Sequence, residues 1–290
     1  MPSLPLLFQA TLNGLLMGGV YSLIAVGLSL IFGVMRIVNF AHGDMMVLGM
    51  YVAYWAFVLT GMDPFLAVPL GAAVTFAIGY FVQRHMVNRI LDVPDEMQFL
   101  LMLGVAIIVR NLILVFSGPD SRSVQTRYSL AVVELGRFIL DVPRLLAFAG
   151  ALALTLGLFL FLKKTDLGVS IRAAADNRVG ALLVGTDIYR LYALAFGIAA
   201  ATVGAGGAMV ISFLPASPPI GHEFTLTGFV VVILGGMGSL PGAFLGGLIV
   251  GISEALGAVL LESSVKQLAS FALLILILLF RPQGLLGGRG

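Results

Sequence analysis

Residues 163–190 read KKTDLGVSIRAAADNRVGALLVGTDIYR, the longest well-charged interruption in an otherwise apolar second half. Lys163, Lys164, Arg172, Arg178 and Arg190 stand there against Asp166, Asp176 and Asp187. Ile171, Ala174, Ala175, Val179, Leu182 and Leu183 recur at helical spacing and line one face. Arg172, Asp176 and Asn177 fall on other faces. Ser170 is placed to cap such a helix and Gly185 to end it. The pattern predicts a short amphipathic helix between two membrane spans. A helix of this kind can lie passively on the headgroups or act as a lever for something outside the membrane, and spacing alone leaves both open.

The whole chain explains why the interruption stands out. Of its 290 residues 60% are hydrophobic and 10% charged, where a soluble domain carries roughly 25% charged residues. A surface that apolar cannot be hidden in water, so the chain reads as an integral membrane protein with the lipid bilayer as its solvent. A net charge of +2 is too small to argue for nucleic acid. The absence of Cys excludes disulfide staples and thiolate metal sites. His42, His85 and His222 lie far apart and have no ligand spacing. The N-terminal MPSLPLLFQ lacks a basic region and runs into a long apolar stretch, so the first span is expected to remain in the mature protein.

About eight apolar stretches are long enough, or nearly so, to cross a ~30 Å hydrocarbon core. They are residues 6–34, 38–60, 65–82, 99–117, 145–162, 191–213, 224–261 and 265–280. Continuous rather than alternating runs argue against strands. The expected fold is all-α, one transmembrane domain over residues 1–290 with a charged loop at 163–190; broken or half helices raise the count to between eight and ten.

Two stretches are irregular. The seventh is too long for one span and is interrupted by Gly235-Gly236-Met237-Gly238-Ser239-Leu240-Pro241-Gly242, whose glycines each weaken a helix by about 1 kcal/mol relative to alanine. The other interruption, VMRIVNFAHGD ending at Asp44, comes in the first half. Each precedes a Gly-containing helix, which suggests a weak internal repeat. Broken helices at matching places in two halves point to a transport pathway. The five basic residues of 163–190 place that loop in the cytoplasm. Residues 84–98 then fall on the same side, although the opposite loop carries Arg122, Arg127, Arg137 and Arg144. If 224–261 is one span, the tail with Arg281 and Arg289 lies outside; if it is two, the tail lies inside.

Polar groups at membrane depth are functional candidates by default. Asn39, His42 and Asp44 cluster at the first interruption and either line a path or cap the helix that follows. Gly238 and Gly242 are the matching candidates in the second. Arg110, in the middle of 99–117, must pair, meet water or snorkel; Glu254 is one possible partner, and a structural ion pair is favoured over a substrate contact. No G-x-x-x-x-G-K-[ST], G-x-S-x-G or H-E-x-x-H run occurs, so neither a nucleotide loop nor an enzyme is expected.

The run Ser170-Ile171-Arg172-Ala173-Ala174-Ala175-Asp176-Asn177, with Ala181, Gly185 and Thr186-Asp187-Ile188, resembles the cytoplasmic EAA-type loop of ABC importer permeases. The glutamate of that motif is absent, and Arg172 stands near its place. GLSLIFGVMRIVNFAHGD, residues 27–44, resembles the N-terminal signature of branched-chain amino-acid ABC importer permeases, most closely the first of their two permease subunits. LGGMGSLPGA, residues 234–243, followed by Gly246-Gly247, resembles the second signature. The resemblance implies a helical permease of the bacterial inner membrane that imports leucine, isoleucine or valine. It implies as partners a second homologous permease subunit, two ABC ATPase subunits that bind the ATP, and a periplasmic substrate-binding protein. It also implies that Arg172, Ala174, Ala175, Asp176 and Gly185 belong to an ATPase-coupling helix, and it leaves this chain without a cofactor. Permeases for urea and short amides share these motifs. Two rivals of other classes are an ion-coupled secondary transporter, with Asp44 and Glu254 as its carboxylates, and a membrane scaffold.

Overall fold

The computed structural model describes residues 3–261 and 266–287. The helices are α1 (Leu4–Met35), α2 (His42–Thr60), α3 (Val68–His85), α4 (Asp95–Ser117), α5 (Val142–Lys164), α6 (Asp166–Asp176), α7 (Arg178–Leu183), α8 (Ile188–Val210), α9 (Ile220–Gly235), α10 (Leu240–Leu260) and α11 (Lys266–Phe280). α1, α2, α4, α5, α8 and α10 are each long and apolar enough to cross a membrane. An antiparallel hairpin, β1 (Val132–Leu135) and β2 (Phe138–Asp141), lies in the loop before α5. Strands were not expected, but these four-residue pieces stand outside the apolar runs and turn at Gly136.

α1 and α8 form the centre, each with 83% of its span buried, against 28% for α4 and 22% for α5. A helix apolar on every side belongs in the interior, and α1 is one. It reaches its neighbour α10 through glycines. A Cβ on Gly18 would stand 2.8 Å from the Gly247 carbonyl oxygen, and one on Gly14 2.6 Å from that of Gly251. The pairing order shows that the two helices run antiparallel, with backbones in contact as small residues permit.

The internal repeat is present and inverted. α1 lies along α10 as α8 lies along α3; α2 meets α8 as α9 meets α1; α2 touches α4 as α9 touches α11. The halves α1–α4 and α8–α11 therefore correspond. This changes the expected equivalence: residues 36–41 correspond to the irregular 211–219, not to the glycine-rich 235–242.

Residues 224–261 are two helices. Gly236 and Gly238 take positive φ (+102° and +84°), and the chain turns back so that Gly242 lies against Gly235. Ser239 caps α10 by accepting from the Gly242 N–H (3.2 Å), and Pro241 occupies its first turn, where a missing N–H costs nothing. The proline starts a helix instead of interrupting one. The following tail packs onto this turn, the Leu285 and Leu286 N–H groups donating to the Leu234 and Gly235 carbonyls (2.9 and 3.0 Å). The tail therefore lies at the end of the bundle that carries α6, where α1 ends and α8 begins. The β1–β2 hairpin marks the opposite end, held to the start of α1 by Gln9 Nε2 donating to the Ile139 carbonyl (2.6 Å). Val265 and Arg289 fall outside the described residues.

Candidate functional site

Two places hold the residues singled out by sequence. The first is inside the bundle. α1 ends at Arg36, whose left-handed φ of 58° turns the chain back. Asn39 stabilises the return by accepting the Ala41 N–H at Oδ1 (2.9 Å). α2 then begins at depth, its first turn crossing the first turn of α9 at Gly43 and Gly221. A Cβ on Gly43 would collide with the Gly221 carbonyl oxygen, so only glycine allows the crossing. Thr225 fastens it, its Oγ1 accepting the Gly43 N–H (3.0 Å) and lying 2.9 Å from the Gly221 carbonyl.

Asn39, His42 and Asp44 are all buried, but they do not share one surface. The His42 ring points at Gly27 of α1, in the space a side chain there would fill. Neither of its nitrogens meets a hydrogen-bond partner among the described residues. Asp44 points the other way and accepts two bonds from Arg110 of α4, Nε to Oδ1 at 3.1 Å and Nη2 to Oδ2 at 3.2 Å. The ion pair favoured for Arg110 is present, and its partner is Asp44 rather than Glu254. Glu254 is buried and accepts hydrogen bonds from the Tyr21 (2.8 Å) and Ser270 (3.2 Å) hydroxyls instead. The α9 residues Thr225 and His222 were not anticipated as partners of the first interruption. Thr225 stands at the start of the long seventh stretch and His222 just before it.

The second place is the α6 end. Thr165, not Ser170, caps α6, accepting from the Gly168 N–H (3.0 Å). Ser170 lies inside the helix and donates to the Asp166 carbonyl (2.8 Å). The predicted single helix breaks at Asn177, whose extended backbone ends α6 and whose Oδ1 caps α7 through the Gly180 N–H (2.8 Å). The break turns the apolar residues apart. Ile171 and Ala174 are buried against the body, whereas Val179, Leu182 and Leu183 face outward. Gly185, at φ +82°, ends α7 as expected.

Arg172 ties α6 to α5 through Nε donating to the Leu162 carbonyl (2.9 Å). Arg172, Ala175 and Asp176 line a cavity of about 410 Å³ together with Gly33 and Gly238. A second cavity of about 270 Å³ lies on the other side of the α1 end, also bounded by Gly33, Ala174, Ala175 and Asp176. Gly238 thus joins the α6 group and not Asn39, His42 and Asp44. Gly242 is in the α9–α10 contact. Neither glycine breaks a helix at depth.

An inverted helical repeat, helices that begin inside the bundle and a half-buried ion pair among apolar spans mark a multi-pass membrane protein with the features of a transport pathway. The family model described as "Branched-chain amino acid transport system / permease component" matches residues 10–278, and the chain belongs to that family of permeases. It is 30% identical over 300 residues to the high-affinity branched-chain amino acid transport system permease protein BraD of Pseudomonas aeruginosa, covering 99% of this chain and 98% of that one. It is 31% identical over 296 residues to LivH of Escherichia coli K12, a permease protein of the same description, covering 96% and 95%. A more distant match, 24% over 293 residues, is to LivM of Salmonella typhimurium, covering 92% of this chain and 68% of that protein. No solved structure matches the chain. The chain is a transport subunit and not an enzyme.

Proposed function

We infer that this chain forms one half of the transmembrane path of an ATP-driven importer of branched-chain amino acids in the bacterial inner membrane. The cargo reading is supported by the printed names of its relatives. The similarity to both LivH and LivM supports a second, homologous permease subunit as its partner. The α6 end faces the cytoplasm, where two ATPase subunits bind the ATP. A periplasmic binding protein delivers the amino acid at the hairpin end.

One observation carries the mechanism: α6 packs against α5, α8 and the end of α1, and faces the α9–α10 turn across the 410 Å³ cavity. Its inner residues, Ile171 and Ala174, are buried, while Arg172 and Asp176 are exposed. A push on the exposed side reaches α1 directly and reaches the Gly238 turn by closing the cavity between them. ATP must bind the closed ATPase pair better than the open one, or no conformational equilibrium shifts. Closure then moves α6, and the spans alternate between inward-open and outward-open arrangements.

An ion-coupled transporter needs a carboxylate free to take up its ion. Asp44 is committed to Arg110, and Glu254 to two hydroxyls, so neither suits that role. The test is reconstitution in proteoliposomes with the second permease subunit, the ATPases and the binding protein. Leucine uptake is expected with ATP, and none by this chain alone under a proton or sodium gradient. Gradient-driven uptake by the isolated chain overturns the reading.

A further inference from the structure

The outward surface of α4 is apolar, with Leu100, Ile107, Ile108, Leu112 and Val115 exposed, and two polar residues interrupt it. Asn111 is exposed, its Nδ2 donating to its own helix at the Ile107 carbonyl (2.8 Å). Beside it Arg110, with Nε and Nη2 given to Asp44, still leaves 31% of its side chain exposed. Both lie inside the span, about 10 Å of helix before its end at Ser117. A guanidinium and an amide at such depth face water or protein, because hydrocarbon satisfies neither.

The wall opposite is α9. Phe40 touches Phe99 of α4 and Phe229 of α9, with ring centroids 4.5 and 4.7 Å apart. Arg110 follows Phe99 by three helical turns and shares its face; His222 and Leu226 precede Phe229 by two turns and one and share that face. Arg110 and the exposed His222 therefore look onto one groove with Phe40 and Asp44 at its floor. Gly221, the residue before His222, backs onto Asp44, where a Cβ would stand 2.6 Å from Oδ1. The N-terminal ends of α2 and α9 meet below the groove and add partial positive charge to a salt bridge that is itself neutral.

We propose that this groove is a hydrated stretch of the translocation path, walled on its open side by the second permease subunit, and that Arg110 receives the carboxylate of the passing amino acid while Phe40 and Leu226 meet its side chain. The proposal rests on the importer reading above. Sharing the guanidinium with Asp44 keeps the hold on the carboxylate weak, as a path that must also release its cargo requires.

The chain contains no Cys, so each single substitution carries the only thiol in this subunit. Leu103→Cys, on the α4 face of Phe99 and Arg110 and 37% exposed, and Leu226→Cys are to be prepared in the assembled importer in membrane vesicles, with Leu156→Cys on the exposed apolar side of α5 as the control. The probe is a charged, membrane-impermeant methanethiosulfonate. Both groove thiols are expected to be lost to the reagent while the α5 thiol persists. L-leucine is expected to slow the reaction at position 226, and leucinamide, which lacks the carboxylate, to leave it unchanged. Groove thiols as unreactive as the α5 control overturn the hydrated path. Reaction without protection by leucine, or with equal protection by leucinamide, overturns the carboxylate assignment. ATP-driven leucine uptake by the parent complex is measured in the same vesicles; its absence sinks the importer reading, whereas its presence beside unreactive groove thiols sinks only this proposal.

Discussion

Arg110 and Asp44, 66 residues apart in sequence, meet through two parallel hydrogen bonds of 3.1 and 3.2 Å inside the helical bundle. The carboxylate is 1% exposed and sits in the first turn of α2, where the helix dipole also favours it. The pair ties the start of a helix that begins at depth to a peripheral span that otherwise touches the body lightly.

Removing one charge leaves the other without a partner. Asp44→Asn is expected to lower stability by about 2–4 kcal/mol, the buried-pair figure reduced for the partial exposure of Arg110. The double substitution Asp44→Asn with Arg110→Gln is expected to recover part of that loss. Thermal unfolding of the purified subunit in detergent reads both, and equal melting of Asp44→Asn and the parent would show that the pair contributes nothing.

Neighbouring alanines of α6 are expected to fail differently. Ala174 is 1% exposed, so Ala174→Leu forces α6 off the body and lowers the folded yield. Ala175 borders both cavities. Ala175→Glu is expected to leave insertion intact while ATP hydrolysis continues without uptake. Parallel measurement of folded yield, ATPase rate and leucine uptake separates the two; unimpaired uptake in Ala175→Glu counts against the lever.

The two glycines of the α9–α10 turn also part company. Gly242 backs onto the Gly235 carbonyl, and Gly242→Val is expected to cost about 1–3 kcal/mol or more through overpacking and to reduce assembly itself. Gly238 has more room but a φ of +84°, so Gly238→Ala carries about 1–2 kcal/mol of left-handed strain without a collision. Size-exclusion profiles of the two variants are expected to differ, with Gly242→Val the more aggregated.

Outside the bundle, Tyr128 clamps the loop before α3 by sharing its one hydroxyl proton between the two oxygens of Asp63 (2.7 and 2.6 Å). Burial first, and then the Asp63 carboxylate, push the phenol above its ordinary range. Folding thus favours the protonated phenol. Its contribution is complete below about pH 10, the ordinary tyrosine value, and is lost as pH rises beyond that. Tyr128→Phe is expected to cost about 1–2 kcal/mol at neutral pH. The cost disappears in strongly alkaline melts if the clamp acts in this way.

Sidedness is testable with the same thiol-free background. Ser170→Cys and Gln283→Cys are expected to react with an impermeant reagent from one side of the membrane, and Leu130→Cys from the other. A Gln283 thiol reacting together with Leu130 would contradict the packing of the tail on the Gly236 turn.

Much of this was legible in composition and spacing. A chain that is 60% hydrophobic has few alternatives to spanning helices, because only helices or closed barrels satisfy their backbone in lipid. The charged stretch 163–190, the capping role of Gly185 and the need of Arg110 for a partner follow from local chemistry in the same way. Which partner it takes did not follow. Asp44 and Glu254 are equivalent carboxylates in a one-dimensional reading, and only the inverted pairing of the halves brings α4 over the start of α2. The break at Asn177 was hidden because helical periodicity continues across it; what changes there is the backbone of one residue. Gly235–Gly242 read as a break at depth because glycine and proline weaken any helix, yet the same residues form a tight turn at the end of the bundle. The sequence by itself determined the solvent, the element type and the chemical groups that must be satisfied, since these depend on each residue and its near neighbours. Tertiary structure alone decided which group satisfies which and at what depth, because those contacts are made between helices whose order in space the local pattern does not encode.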